Sequence, residues 1–154
     1  MSETNPAVNG QAATVKKLFS RTTSVAIDIA ASPDTVWALL TDVNSLKTRN
    51  STIVDLSGKI APGERIQLRS TLAPDRTFKL KVKEFEPPNR LSWGDAMGTR
   101  VYTLSPNSDN GTRFTMSEKI GGPVFPLFAK MIPPFDESFN QFASDLKKAA
   151  EEQS

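Results

Sequence analysis

Neither cysteine nor histidine occurs among the 154 residues of this chain, and tyrosine occurs once, as Tyr102. Without cysteine there is no disulfide, which suits a reducing compartment such as the cytoplasm. Metal and haem sites built on His or Cys are excluded too, and no metal or other cofactor is expected. So are Ser-His-Asp triads and cysteine nucleophiles. Any proton transfer falls to Asp, Glu, Lys, Tyr102 or water. Net charge is also small: 19 basic against 17 acidic residues give +2, too little to require a polyanionic partner. No apolar run reaches the ~20 residues of a membrane-spanning helix. The first residues hold no apolar core of a secretory signal, so a cytoplasmic location is expected.

The length suits one domain with a real core. Residues 1–14 are small and polar without hydrophobic period and read as a disordered tail, leaving 15–154 as a single ligand-binding domain. Thr23 to Ala30 alternates, with Val25, Ile27 and Ile29 on one face, as a half-buried strand does. Ser32-Pro33-Asp34 then supplies an N-cap, a proline at the first helical position and an acid in the first turn. Asp42 to Asn50 suits either a second short helix or an irregular arm.

Strand patterns fill the middle of the chain. They run over Thr52–Gly58, Ile66–Leu72, Phe78–Lys83, Leu91–Trp93, Tyr102–Leu104 and Phe114–Ile120. Ala61-Pro62-Gly63-Glu64 places Pro and Gly where a type II turn wants them, and Asn107 to Gly111 is a strong loop signal. Clean alternation predicts an antiparallel sheet of six or seven strands with one wet face and one covered face. The cover is the segment Pro134 to Glu152, where Phe135, Phe139, Phe142, Leu146 and Ala150 recur at helical spacing. Pro133-Pro134 breaks that helix at its start and leaves Pro123 to Met131 as a short helix or lid. One helix does not fill the concavity of such a sheet unaided. The remaining space is either a small-molecule cavity or is packed by the five phenylalanines between Phe125 and Phe142.

These pieces resemble the helix-grip (SRPBCC) superfamily, which includes START lipid-transfer domains, plant pollen-allergen-type proteins and bacterial polyketide cyclases. The resemblance rests on Ile29-Ala-Ala-Ser-Pro-Asp-Thr-Val-Trp37 with Leu39-Leu40-Thr41-Asp42, on the Gly63 turn and on Glu86-Pro-Pro-Asn-Arg-Leu-Ser-Trp93. It continues through Gly111-Thr-Arg-Phe114 and the Leu146-Lys-Lys148 close. It implies an α+β helix-grip fold, with two short helices after the first strand and a curved antiparallel sheet around a long C-terminal helix. It also implies a cavity for a hydrophobic ligand. None of the matching residues is a catalytic signature. Where relatives often carry Trp-Asn-Pro, this chain has Arg49-Asn50-Ser51, which makes that wall more polar or more open.

The alternation also nominates the ligand-binding residues. Leu68, Phe78, Leu80, Trp93, Tyr102, Phe114 and Met116 face inward from the strands, and Phe128, Met131, Phe135 and Phe139 come from the terminal segment. If Asn107–Gly111 is a five-residue loop, Leu104 faces Phe114, Tyr102 faces Met116 and Arg100 faces Glu118. Such a pair can anchor a polar group of the ligand or hold a carboxylate for proton transfer; its plain alternative is an exposed rim pair. No catalytic residue is nominated.

The expectation is a monomer or weak homodimer that binds a small lipid, polyketide or aromatic molecule without transforming it. One rival is an aromatic polyketide cyclase or dehydratase in which Arg100, Glu118 and Tyr102 handle protons. Another is a protein-interaction module with a filled cavity. The segment Gly121 to Phe135 reads as packed against the sheet edge, with a gate or a membrane contact as the alternatives, and no stable membrane insertion is expected. Nucleic acid is not an expected partner: the outer face carries Arg65, Arg69, Lys79, Lys81, Lys83, Arg113 and Lys119, but at most Phe85 for stacking.

Overall fold

The computed structural model describes residues 9–153. Eight strands form one antiparallel sheet: β1 (Ala13–Lys16), β2 (Ser20–Ile29), β3 (Ile53–Gly58), β4 (Arg65–Ser70), β5 (Phe78–Glu86), β6 (Arg90–Gly94), β7 (Gly98–Pro106) and β8 (Thr112–Gly121). Their order across the sheet is β1-β2-β8-β7-β6-β5-β4-β3, so β1 and β3 are the open edges. The fold is the helix grip, with a curved, unclosed sheet. Register shifts between Ile53 and Asp55 and between Val82 and Glu84 bend the strands locally. Gly63 sits at φ 73° and the Glu64 amide donates to the Ala61 carbonyl, which is the type II turn that the sequence predicts.

The eighth strand is a correction. β1 is only four residues long and begins inside the stretch read as a tail. It is held by pairing with β2 and by polar ties: the Ala12 amide donates to Asn140 Oδ1 at 2.6 Å, and the Thr14 hydroxyl donates to Asp136 at 2.6 Å. Residues 1–8 of the expected tail lie outside the described residues.

Two short helices follow β2. α1 (Pro33–Leu40) is capped by Ser32 Oγ, which accepts from the Thr35 amide, and α2 (Val43–Arg49) by Asp42, which accepts from the Asn44 and Ser45 amides. After β8 comes a one-turn helix α3 (Phe125–Phe128), then a 3₁₀ turn over Ala129–Met131. The double proline interrupts the chain before α4 (Asp136–Glu152). α4 lies chiefly over β2, with lesser contact to α1, α2 and β8. Phe139, Phe142, Ala143, Leu146, Ala149 and Ala150 form its buried face. The helix is therefore offset toward one half of the sheet, and β4 and β5 lie away from its main contacts. That offset positions the site.

Candidate functional site

The β7–β8 hairpin brings the polar residues of the inner face together. Its register sets Pro106 against Thr112, Leu104 against Phe114, Tyr102 against Met116 and Arg100 against Glu118. Arg100 Nε donates to Glu118 Oε1 at 2.7 Å, and the two side chains are only 15% and 20% exposed. This is a mostly dry pair and not a solvated rim bridge. The Arg100 guanidinium also lies 4.9 Å from the centre of the Phe139 ring. Burial draws its pKa down, but Glu118 and Tyr102 together outweigh that and hold it above the ordinary arginine value.

Tyr102 is completely buried, and its hydroxyl has no hydrogen-bond partner of acceptable geometry among the described residues. Burial pushes the phenol up to about 12, against the pull of the nearby Arg100 charge. An orphan hydroxyl costs about 1–3 kcal/mol, so this group is poised to accept or donate a bond if a polar atom reaches it.

A second arginine, which the sequence reading missed, joins the cluster. Arg21 shares the inner face with Thr23, which sits opposite Glu118. Its guanidinium donates to the Ile132 carbonyl at 3.2 Å and to the Pro133 carbonyl at 2.8 Å, and lies 4.9 Å from the centre of the Phe135 ring. Burial lowers its pKa, with Asp136 and Glu118 opposing. Asp136 accepts the hydrogen bond that the Thr14 hydroxyl donates, so in the 2.9 Å contact between Thr14 and Thr23 the donor is Thr23. Stepping the face of Val25 back by two and four residues reaches Thr23 and Arg21, so the signal was present once the strand is begun at Ser20.

The apolar part divides in two. In the middle, Trp93, Tyr102, Phe114 and Phe142 form a ring cluster, with centroids 5.0 Å apart for Trp93–Tyr102, 5.8 Å for Tyr102–Phe142 and 6.4 Å for Phe114–Phe142. Phe114, Met116 and Phe139 are fully buried and Phe135 nearly so. Here the grip is filled by its own side chains. Toward the β4–β5 wing the cover thins: Leu68, Phe78 and Leu80 are only half-buried. Phe128 is half-buried against Phe125.

Met131 is a correction, because it is 81% exposed and points away from the interior. None of the residues of the 3₁₀ turn that carries it is buried. Phe85 is another: the bulge between Val82 and Glu84 shifts the alternation by one residue, and the ring turns inward to meet Trp37 edge-on at 5.3 Å. The outer face therefore lacks the one aromatic assigned to it. A separate polar groove of about 390 Å³ lies between α2 and α4, walled in part by Arg49, Asn50 and Ser51. Most of its charges are already used: Arg49 pairs with Glu152, Lys47 with Asp55, and Asp145 accepts from both the amide and the hydroxyl of Ser51.

Among the described residues no group of three or more Asp or Glu side chains is placed to hold a metal, and no helix is long and apolar enough to cross a membrane.

Residues 20–151 match the family model described as polyketide cyclase / dehydrase and lipid transport. No curated protein matches the chain. Among solved structures, a protein from Mesorhizobium loti is 22% identical at a TM-score of 0.67, over 87% of this chain and 99% of that one. CalU16 from Micromonospora echinospora is 18% identical at a TM-score of 0.55, over 93% and 94% of the two chains. DynU16, a protein in the dynemicin biosynthetic locus, is 19% identical at a TM-score of 0.64; the match covers 86% of this chain and 48% of that one. At these identities the likeness is one of fold.

Proposed function

The chain belongs to the polyketide cyclase / dehydrase and lipid transport family, and from that premise we propose that it binds a small, largely apolar molecule carrying one polar group. The polar group sits at Arg100 and Tyr102, with Glu118 fixing the guanidinium. The apolar part runs along the inner face to the half-buried wing. Register supplies the path: Arg100 stands opposite Trp93, Trp93 opposite Val82, and Leu80 follows two residues along β5 beside Ile66. Strand spacing of ~4.8 Å and a rise of ~3.4 Å per residue put the two ends about 12 Å apart in the plane of the sheet. That is the length of a medium-chain acyl group or a two- to three-ring aromatic.

The observation that carries this reading is the buried, unpartnered Tyr102 hydroxyl beside a fixed arginine, at the head of an apolar row whose far end is incompletely covered. The test is displacement of a fluorescent fatty-acid or naphthalene probe. The wild type binds saturably at one site, and Arg100→Met weakens binding of acidic probes at least about tenfold, the scale of one lost charge-assisted bond. A chain that binds none of the probes is instead a filled-grip interaction module.

The cyclase reading draws on the same three residues. The Glu118 carboxylate takes a proton from the carbon beside a ketone, the phenol held neutral by burial donates a hydrogen bond to the ketone oxygen, and Arg100 stabilises the enolate that forms. Turnover of a polyketone with loss on Glu118→Gln would support it.

A further inference from the structure

Seven large apolar side chains are exposed among the described residues, and six of them sit at one end of the molecule. Leu18 and Phe19 are in the β1–β2 turn, Met97 is in the β6–β7 turn, and Val124, Leu127 and Met131 are in the segment between β8 and α4. Backbone hydrogen bonds fasten the three loops together: the Gly121 amide donates to the Met97 carbonyl at 2.9 Å, and the Gly122 amide to the Phe19 carbonyl at 3.0 Å. Leu127 and Met131 are 82% and 81% exposed, far beyond what the packing of the segment requires.

Charge is arranged around them. Lys16, Lys17, Lys119 and Lys130 are exposed at the same end. The nearby acids are mostly occupied: Asp95 accepts from the Met97 and Gly98 amides, and Asp136 from Thr14, which leaves Glu137 as the exposed carboxylate. Apolar tips ringed by lysines match the boundary between headgroups and acyl chains of an anionic bilayer, where apolar side chains enter and cations stay with the phosphates.

We propose that this loop end docks reversibly on anionic lipid membranes, with Leu127 and Met131 inserting and Lys16, Lys17 and Lys130 holding the headgroups. The inference stands on the three loops alone and makes no use of the interior ligand site. Either can fail without the other.

The test uses the full chain and vesicles of phosphatidylcholine with or without phosphatidylglycerol, read by co-sedimentation, with light scattering to follow oligomeric state. The wild type co-sediments with the anionic vesicles and much less with the neutral ones, and remains a monomer in solution. Leu127→Ser with Met131→Ser abolishes sedimentation while leaving the circular dichroism spectrum and melting temperature unchanged. Lys16→Glu with Lys17→Glu weakens it by well over fivefold, since each surface lysine is worth about fivefold in affinity for such membranes. No sedimentation by the wild type overturns the proposal, and so does equal sedimentation by the serine variant. A dimer that the serine substitutions dissociate also overturns it, because a second copy then covers the face.

Discussion

Arg100 and Glu118 stand directly opposite each other across the β7–β8 ladder, joined by a 2.7 Å bond and largely shielded from water. Shielding raises the stakes of removing either partner, because the survivor keeps its desolvation cost and loses its counter-charge. Glu118→Gln is expected to lower unfolding stability by about 2–3 kcal/mol in urea denaturation. The double variant Arg100→Met with Glu118→Leu is expected to recover most of that loss. A Glu118→Gln protein as stable as the wild type would mean that the pair is solvated after all.

Because Tyr102 is the single tyrosine, its titration is directly visible as tyrosinate absorbance. Burial pushes the folded phenol up to about 12, against about 10 for an exposed tyrosine. The raised value means that the folded state holds the proton more tightly. The stability linked to it is complete below about pH 10, declines as the unfolded chain ionises, and is lost by pH 12. The loss amounts to about 2–3 kcal/mol. Denaturation of the wild type minus that of Tyr102→Phe, measured from pH 9 upward on the scale of these two values, isolates this contribution from lysine titration. A flat difference would place the phenol in contact with solvent.

Tyr102→Phe also separates stability from binding. Deleting an unpartnered hydroxyl is expected to leave stability unchanged or raise it by about 1 kcal/mol. The same variant is expected to bind a polar-headed probe several-fold more weakly, which is the pattern of a residue kept for a ligand. Lower stability together with unchanged probe affinity would assign the hydroxyl a purely structural partner.

The tether from Arg21 to the carbonyls of Ile132 and Pro133 gives a dynamic prediction. Arg21→Met frees those carbonyls and leaves Phe135 without its stacked cation. Limited proteolysis within residues 123–135 is expected to quicken several-fold, with little change in overall helix and strand content. Equal cleavage rates would show that apolar packing alone holds the segment.

The parts of this fold that were legible in the sequence are those governed by local chemistry. The Asn107–Gly111 loop length and the period of two set the Arg100–Glu118 register. The Ser32-Pro33-Asp34 cap, the Gly63 turn and the double-proline break appear where backbone rules place them. What escaped depends on tertiary contact. β1 exists because Asp136 and Asn140 of α4 reach back to it, and nothing in Ala-Thr-Val-Lys announces that. Phe85 turns inward through a bulge that alternation does not foresee, and Met131 faces outward from a 3₁₀ turn that buries none of its residues. The division of the grip into a filled centre and a thinly covered wing follows from where α4 lies across the sheet, a choice that the helix pattern alone leaves open.

The most direct test of the ligand reading is the emission of Trp93, which lies between Arg100 and Val82 in the proposed row. The substitution Trp37→Phe leaves Trp93 as the sole tryptophan. Titrating that variant with an acyl or aromatic carboxylate is expected to shift the emission saturably at one molecule per chain, and adding Arg100→Met is expected to abolish the shift. Emission that ignores every such compound, in a protein that stays folded, would contradict the account.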